Sequence, residues 1–190
     1  MRWVGIVCLV FASGIAGYIG WALWGTGLAT QRAQETFASS FPERIDTRTP
    51  EQAPERPPLP GTVYAQILIP RIELNMFVVQ GVDAVDLEQG PGHYQDTADP
   101  WDDAGRVGIA GHRTTYLAPF GNLDRMQVGD DITLRTEFGT FRYVVSDVFV
   151  VPTEGSGTVL TQTPDPTLVL TTCHPKYSAS ERLIVSADRV

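Results

Sequence analysis

The first pattern along the chain is an apolar run without a charge, from Val4 to Trp24. At a helical rise of about 1.5 Å per residue, its 21 residues cover roughly 30 Å, the hydrocarbon thickness of a bilayer. Trp21 and Trp24 lie near its outer end, where indole rings favour the lipid–water interface. Secretory signal cores are shorter, about 7–15 residues. The run predicts a retained signal anchor over residues 1–30, with a cleaved signal as the alternative, and an exported C-terminal part.

Residues 31–60 have a different pattern, rich in proline and charge. Six prolines lie between Phe41 and Pro60, with little apolar material between them. Such a composition buries too little surface to offset the entropy lost on ordering, so it predicts a semi-extended extracellular tether. About 20 such residues reach about 60 Å at the rise of polyproline, enough to hold a domain clear of the lipid headgroups. A lid over a functional site is the alternative.

From residue 61 to 190 the pattern is one of short runs of β-branched and aromatic residues, separated by turn signals such as VGDD and EFGT. The runs are TVYAQILIP, MFVVQG, RVGIAG, DITLRT, TFRYVVSDVFVV, TLVLTTC and RLIVSADRV. Seven or eight strands at this spacing predict a single all-β domain, a barrel or a sandwich. Only DAVDLEQG and APFGNLDRM suggest short helices.

Charge and cysteine content narrow the function. The net charge of −8 is opposite to the basic surface that nucleic-acid binding needs, so no nucleic acid is expected as a partner. Cys8 lies within the apolar run, which leaves Cys173 as the only thiol of the exported part. Paired cysteines are the rule in an oxidising environment. An unpaired one there indicates a reactive thiol or an intermolecular disulfide.

Cys173 ends the apolar run TLVLTTC, which predicts a buried strand. Because alternate side chains of a strand share a face, Thr171 and Cys173 point one way while Thr172 and His174 point the other. His174 is therefore a poor base for Cys173. Arg182 opens the next predicted strand, and a hairpin would bring it opposite Cys173. A guanidinium there can favour a thiolate and donate to an oxyanion, whereas an arginine at a strand edge is by default a solvated charge.

His112 is the best candidate for an acid–base group. It follows the strand RVGIA through Gly111, which lets the backbone turn at the end of the strand. An imidazole with a pKa near 6.5 can give a proton to a leaving amine and take one from an incoming amine. His93, in the Gly- and Pro-rich segment GPGHY, is expected at the surface.

No metal or other cofactor is predicted. A zinc site made of Cys173, His174 and His112 is disfavoured, because strand alternation separates the first two of these ligands. Four carboxylates that could bind calcium are interpreted as solvated loop residues: Asp102, Asp103, Asp130 and Asp131.

These residues together resemble the sortase transpeptidase family. The pattern consists of the strand-ending His112, the segment VLTTC that ends at Cys173, and Arg182 at the start of the next strand. The family's usual TLxTC differs here at its first threonine, which is Val169. The resemblance covers residues 61–190, and the anchor and tether also match the layout of sortases. The segments GHRTTYLAPFGNLDRM and TTCHPKYSASERLIV resemble class E, the housekeeping sortases of high-GC Gram-positive bacteria.

The resemblance implies an eight-stranded sortase-type β-barrel and a cysteine transpeptidase anchored in the cell membrane, with its catalytic domain outside. It implies that Cys173 is the nucleophile, His112 the general acid and base, and Arg182 the clamp on substrate and oxyanion. The implied substrates are secreted proteins with a C-terminal sorting signal, of the type Leu-Ala-x-Thr-Gly in class E. The signal would be cleaved between Thr and Gly, and the protein joined through a thioacyl intermediate to a peptidoglycan amine.

Four residues are candidates for substrate binding. Tyr116, in the loop after His112, could hydrogen-bond a peptide backbone that alanine leaves accessible and proline does not; the alternative is a packed loop aromatic. Thr114, Thr115 and Thr172 could line the same groove.

Three other functions are alternatives. A pilus-polymerising sortase often carries an Asp-Pro-aromatic lid, and the predicted tether has no such triplet. A catalytically silent module that holds sorting peptides or wall polymers would show no cleavage. An L,D-transpeptidase would carry a Ser-His-Gly triplet before its cysteine, and none precedes Cys173.

Overall fold

The computed structural model describes residues 2–21, 25–41 and 59–190. The last of these ranges forms a closed barrel of eight strands in the order β1-β2-β3-β4-β7-β8-β6-β5, in which pairing of β1 with β5 closes the ring. The strands are β1 Val63–Ile69, β2 Leu74–Gln80, β3 Gly92–His93, β4 Arg106–Ala110, β5 Asp131–Thr136, β6 Gly139–Pro152, β7 Thr167–His174 and β8 Glu181–Arg189. The prediction of an eight-stranded all-β barrel is confirmed.

Most neighbouring strands pair antiparallel, and the predicted hairpin through EFGT is formed by β5 and β6. β7 and β8 form a second antiparallel pair, as the segment between them suggested. The pairing of β4 with β7 is parallel. The two strands therefore end at the same edge of the barrel, and this edge carries the candidate site.

Alternation of side chains divides each strand into an inner and an outer face. On β7, Leu168 and Leu170 belong to the core of the barrel, where they are joined by Val107 and Ile109 of β4. Each such side chain contributes roughly 1.5–3 kcal/mol by its burial. Thr171, one position along β7, consequently lies on the outer face. The core thus fixes which side chains of β4 and β7 point outward.

The eighth strand, β3, is two residues long and was not recognised in the sequence. It joins β2 in parallel and β4 antiparallel. The expectation that His93 lies at the surface is wrong, because its residual exposure is 1%. Its ring stacks on Tyr64 with centroids 4.1 Å apart, and Nδ1 lies 3.0 Å from Gln80 Oε1. Gly92 allows β3 to lie close to the chain that follows β2, since a Cβ there would collide with the carbonyl oxygen of Gly81.

Both segments expected to form short helices contain a helical turn. Helix α3, Ala84–Leu87, begins at Asp83, whose side chain accepts from the backbone of Asp86 while the Asp86 side chain accepts from Asp83 N. This reciprocal arrangement satisfies two donors that a helix start leaves open. The segment APFGNLDRM forms a 3₁₀ turn at Leu123–Arg125. A further 3₁₀ turn, Ser156–Leu160, stands beside β7 and β8.

The apolar run forms helix α1, Arg2–Gly20. Its window Trp3–Gly20 has 18 residues and a mean hydropathy of 1.9, and none of it is buried. By length and composition this helix could cross a membrane, although a signal sequence near an N-terminus would have the same properties.

Residues 31–40 differ from the extended chain that was predicted for them. They belong to helix α2, Thr26–Ser40, whose Gln34 side chain hydrogen-bonds to the backbone of Phe77 on β2. Phe41, directly after the helix, packs against Phe77 with ring centroids 5.3 Å apart. The composition was misleading because the prolines begin only at residue 42. The rest of the predicted tether, 42–58, lies outside the described residues.

Candidate active site

Cys173 and Arg182 form a directly opposed pair across β7 and β8. Opposed residues of an antiparallel pair point to the same face, with Cβ atoms about 4.5–5.5 Å apart. Thr171 pairs with Ile184 two positions away on that face. Cys173 is half-buried and forms no disulfide.

His112 reaches the same edge through β4. In the parallel pairing Ala110 lies beside Thr171, and Gly111 N continues the ladder by donating to Thr171 O at 3.1 Å. His112 follows directly, so the chain leaves β4 at the same edge of the barrel at which Cys173 lies near the end of β7. The structure thus brings the three predicted catalytic residues to one edge of the barrel.

Gly111 is required at the point where the chain leaves β4. A Cβ there would lie 2.6 Å from Cδ2 of Phe120, whose amide donates to His112 O at 3.0 Å. Phe120 is completely buried. The loop that follows His112 is therefore folded back tightly against the end of the strand, which holds the backbone of His112 in place.

The guanidinium of Arg182 is held at one nitrogen. Nη1 donates to Thr153 Oγ1 at 3.2 Å and to the carbonyl oxygens of Ala179 and Glu181, both at 3.1 Å. Within the described parts of the chain, Nε and Nη2 of Arg182 make no hydrogen bond. The fork is thus oriented by the protein while two of its nitrogens remain available to a ligand.

A groove on the outer face of β7 and β8 contains a cavity of about 140 Å³ next to Arg182. Its floor includes Thr171, whose Oγ1 lies 3.1 Å from the hydroxyl of Tyr94. The cavity is lined by Tyr94, Ser156, Gly157, Val159, Leu160, Thr171, Arg182 and Ile184. The 3₁₀ turn after β6 therefore forms one wall of the groove, and the wall is mainly apolar.

Arg113, directly after His112, connects the two strand ends. Its side chain is 3% exposed. Nη1 donates to Cys173 O at 3.2 Å, Nε donates to Gly121 O at 3.3 Å, and Nη2 lies 3.2 Å from Asp124 Oδ1. Sequence reasoning missed this residue, because an arginine in a polar loop has no pattern that distinguishes it from a solvated charge.

Tyr116 and Glu88 determine the surroundings of the His112 imidazole. The ring of Tyr116 lies 4.9 Å from it, centroid to centroid, and the Tyr116 hydroxyl donates to Glu88 Oε1 at 3.0 Å. Burial lowers the pKa of His112 below its usual value, while the negative charge of Glu88 acts in the opposite direction. The partly buried ring therefore favours the neutral form that accepts a proton.

The predicted groove threonines lie in different places. Thr114 and Thr115 are half-buried in the loop after His112, and Thr115 O accepts from the amide of Ala118. Thr172 is nearly fully buried, and its Oγ1 donates to Gly111 O at 2.7 Å. Its hydroxyl thus connects β7 to the end of β4 from inside the barrel, and does not face the groove.

His174 lies on the face of β7 opposite to Cys173, as alternation predicts, and its Nδ1 is buried without a hydrogen-bond partner among the residues that the structure describes. No group of three or more histidine, cysteine or acidic residues within 2–21, 25–41 and 59–190 is arranged to hold a metal ion. The four carboxylates considered for calcium accept hydrogen bonds or form ion pairs with arginine: Asp102, Asp103, Asp130 and Asp131.

Comparison with known proteins agrees with this architecture. The family model of the sortase domain matches residues 67–190. Sortase D of Bacillus subtilis is 31% identical in an alignment of 197 residues that covers 97% of this chain and 98% of the relative. Sortase SrtE1 of Streptomyces coelicolor is 30% identical in an alignment of 140 residues that covers 66% of this chain and 40% of the relative. The solved Sortase D5 transpeptidase of Clostridium perfringens superposes with a TM-score of 0.70 at 28% identity, covering 85% of this chain and 98% of the other.

The match of the family model spans more than half of the chain, and the relatives include both D-type and E-type sortases. The barrel, the free cysteine at the end of β7 and its opposed arginine fit this match. The chain belongs to the sortase family of cysteine transpeptidases.

Proposed function

We propose that Cys173, His112 and Arg182 carry out the transpeptidation, with Cys173 as nucleophile. The observation that supports this most is the opposed Cys173–Arg182 pair, with the end of β4 beside it. In the first step the neutral imidazole of His112 accepts the thiol proton of Cys173, and the resulting thiolate attacks the carbonyl carbon of a Thr–Gly bond. Arg182 stabilises the oxyanion through its unoccupied nitrogens, and the bond to nitrogen breaks as His112 protonates the leaving glycine amine.

The second step reverses these roles. An incoming amine attacks the thioacyl carbonyl, and the imidazole of His112, now neutral, accepts its proton. The carbon–sulfur bond breaks, which restores the sulfur of Cys173 and leaves a new amide. Splitting the reaction into two displacements on one cysteine is ordinary nucleophilic catalysis.

For the sorting signal we propose the Leu-Ala-x-Thr-Gly type, read in part by Tyr116. The hydroxyl of Tyr116 already donates its proton to Glu88, so toward a peptide it can act only as an acceptor. Alanine offers a backbone N–H to such an acceptor and proline has none. The relatives include an E-type sortase and D-type sortases, so the subclass and its signal are left to experiment.

We also propose that α1 anchors the enzyme in the cell membrane as a single-pass segment, with the barrel on the outer side. The partners are then secreted proteins that carry a sorting signal and a peptidoglycan precursor that supplies the amine. The supporting observations are the length and hydropathy of α1 and its complete exposure.

The decisive experiment is mass spectrometry of the full chain in detergent micelles, mixed with a Leu-Ala-x-Thr-Gly peptide and, separately, with its Leu-Pro counterpart. We expect the enzyme to gain the mass of the substrate peptide up to its threonine, on the proteolytic fragment that contains Cys173. The Leu-Ala substrate should give more of this adduct than the Leu-Pro substrate. Cys173→Ala serves as the control without a nucleophile. Absence of any adduct from wild type with either peptide would contradict the proposal.

Arg182→Gln tests the role of the guanidinium. Removal of one oxyanion donor typically lowers kcat by about 10²–10³-fold. Arg142→Gln is the matched control, because the Arg142 side chain forms only a surface ion pair with Asp131, at the end of β6 that pairs with Arg189 and not with Arg182. Equal kcat for Arg182→Gln and wild type would exclude a role for this side chain in the transition state.

A further inference from the structure

Helix α2 is attached to the barrel along one stripe of its surface. Its buried residues are Thr26, Gly27, Thr30 and Phe37, with Gln34 half-buried between them. This spacing of three to four residues is one face of a helix. The opposite face, which includes Arg32 and Thr36, is exposed, and so is Gln31 on the flank of the docked stripe. Apart from Phe37, the buried stripe is polar or small, so the docking depends on specific hydrogen bonds.

Gln34 attaches the middle of α2 to the edge of β2. Beyond the short β3, the outer edge of β2 has no neighbouring strand at Phe77. The amide of Gln34 replaces that neighbour: Nε2 donates to Phe77 O at 2.9 Å and Oε1 accepts from Phe77 N at 2.7 Å. Nε2 also donates to Gln89 O at 2.9 Å. One side chain thus satisfies three backbone groups that would otherwise need water.

The first turn of α2 reaches the loop that carries His112. Thr26 Oγ1 accepts from the amide of Tyr116 at 3.3 Å. Thr30 Oγ1 donates to Glu88 O at 2.7 Å, and the Glu88 carboxylate accepts from the Tyr116 hydroxyl. Tyr116 in turn lies against the imidazole of His112. The helix therefore contacts both the backbone and, through Glu88, the hydroxyl of the residue that packs on His112.

The loop needs such support because of its backbone conformation. Tyr116, Leu117 and Ala118 have φ angles of 52°, 62° and 46°, three consecutive non-glycine residues in the left-handed region. This region is unfavourable for L-residues and persists only where surrounding contacts hold it. The side chain of Leu117 lies close against Gly27 of α2, since a Cβ at Gly27 would lie 2.9 Å from Cδ2 of Leu117.

We infer that α2 is a positioning element of the active site: by holding Tyr116 and Glu88, it fixes His112 in register with Cys173. This inference rests on the catalytic role proposed above for His112. Residues of α2 do not contact the reacting atoms, and their effect passes through Tyr116. Loosening α2 should therefore lower the rate of the chemical step and leave peptide binding in the groove beside β7 and β8 nearly unchanged.

With the anchoring proposed above, the same docking would bring the His112 loop close to the membrane. Five residues separate Gly20, the end of α1, from Thr26. The six steps from Gly20 to Thr26 can span at most about 20 Å even when fully extended. With the anchoring proposed above, the Pro-rich segment after α2 does not set the distance between barrel and bilayer, because α2 already returns the chain to the barrel before that segment begins. The positioning element is thus also the nearest connection between anchor and active site.

The test compares four variants of the full chain in detergent micelles, with a Leu-Ala-x-Thr-Gly peptide as substrate. Thr30→Val keeps the shape and removes the donor to Glu88, whereas Thr30→Ser keeps the donor. Gln34→Ala removes the fork on Phe77, whereas Gln31→Ala changes an exposed glutamine of the same helix. For Thr30→Val and Gln34→Ala we expect kcat to fall about tenfold, within the ~10²-fold that an ångström-scale misplacement can cost. KM should stay within about twofold, and the serine and Gln31 variants should match wild type.

Amide hydrogen exchange provides a readout that does not depend on cleavage. The amides of Tyr116 and Ala118 should exchange faster in Thr30→Val and Gln34→Ala, while β7 and β8 remain protected. Unchanged kcat and unchanged exchange in both variants would overturn the inference, as would a rise in KM alone or a loss of protection throughout the barrel. A wild-type chain that cleaves no peptide would refute the proposed function instead, and the exchange data would still decide whether α2 holds the loop.

Discussion

Replacing Arg113 by methionine tests how the two strand ends are joined. Methionine fills a similar volume but provides no donor. The substitution removes the hydrogen bonds to Cys173 O and Gly121 O, at 3.2 and 3.3 Å, and the ion pair with Asp124. The two carbonyl oxygens then lose a charged donor in a site where the Arg113 side chain is only 3% exposed.

The magnitude follows from these contacts. A hydrogen bond from a charged donor contributes roughly 1.5–3 kcal/mol, and both distances lie at the long end of the usual range, which favours the lower value. The two bonds together give about 3 kcal/mol. Asp124 is 48% exposed, so solvent screening leaves its ion pair worth less than about 1 kcal/mol. We expect Arg113→Met to lower the free energy of unfolding by about 3 kcal/mol, or Tm by roughly 10 °C for a domain of this size.

Differential scanning calorimetry of the full chain in detergent micelles measures the change, with Arg142→Met as the control. Arg142 and its partner Asp131 are 63% and 53% exposed, so the control should shift Tm very little. Peptide cleavage by Arg113→Met should fall in kcat, because the loop that follows His112 loses its direct connection to Cys173. A Tm within 2 °C of wild type, with full activity, would refute the reasoning, since it would mean that Arg113 contributes no more to the free energy of unfolding than a surface arginine does.

Three further predictions concern single groups. Glu88→Gln removes the charge that raises the pKa of His112, so the limb of the kcat/KM–pH profile that reports this imidazole should move to lower pH, and an unmoved limb would contradict the assignment. Burial lowers the pKa of His93 to about 4. The unfolded chain takes up a proton on this histidine near pH 6.5 and the folded chain does not. The free energy of unfolding should therefore fall as the pH drops below about 6.5, by about 2 kcal/mol between pH 7 and pH 5. Calorimetry of His93→Gln at both pH values should show that this difference disappears, and a slope equal to that of wild type would be the contrary result. Gly111→Ala should lower both Tm and kcat, because its Cβ would meet Phe120 at 2.6 Å. Gly157→Ala is the control for Tm, because a Cβ there meets no atom within 4 Å and should not destabilise the fold by a steric clash.

The sequence was most informative where a pattern repeats along the chain. Period-two alternation predicted the strands and the shared face of Thr171 and Cys173, and the turn signals predicted the β5–β6 hairpin. β3 could not be found in this way, because two residues carry no period. His93 was misjudged for the same reason: glycine and proline around it indicate a turn, and the sequence does not reveal that the turn is covered by Tyr64.

Helix α2 shows a second limit of sequence patterns. Its buried stripe is made largely of threonine, glycine and glutamine, so it lacks the apolar periodicity that identifies a packed helix. What holds it are hydrogen bonds to the backbone of Phe77, Gln89 and Glu88, and a backbone group leaves no trace in the side-chain pattern.

The sequence by itself determined the all-β class, the apolar N-terminal helix and the candidates for the three reactive side chains, because these depend on local periodicity and on which residue types can do the chemistry. Tertiary structure alone decided the parallel register of β4 and β7, the buried bridge of Arg113 and the docking of α2 beside His112. Each of these joins segments far apart in the chain, where the partner is chosen by the geometry of the closed barrel rather than by neighbouring residues.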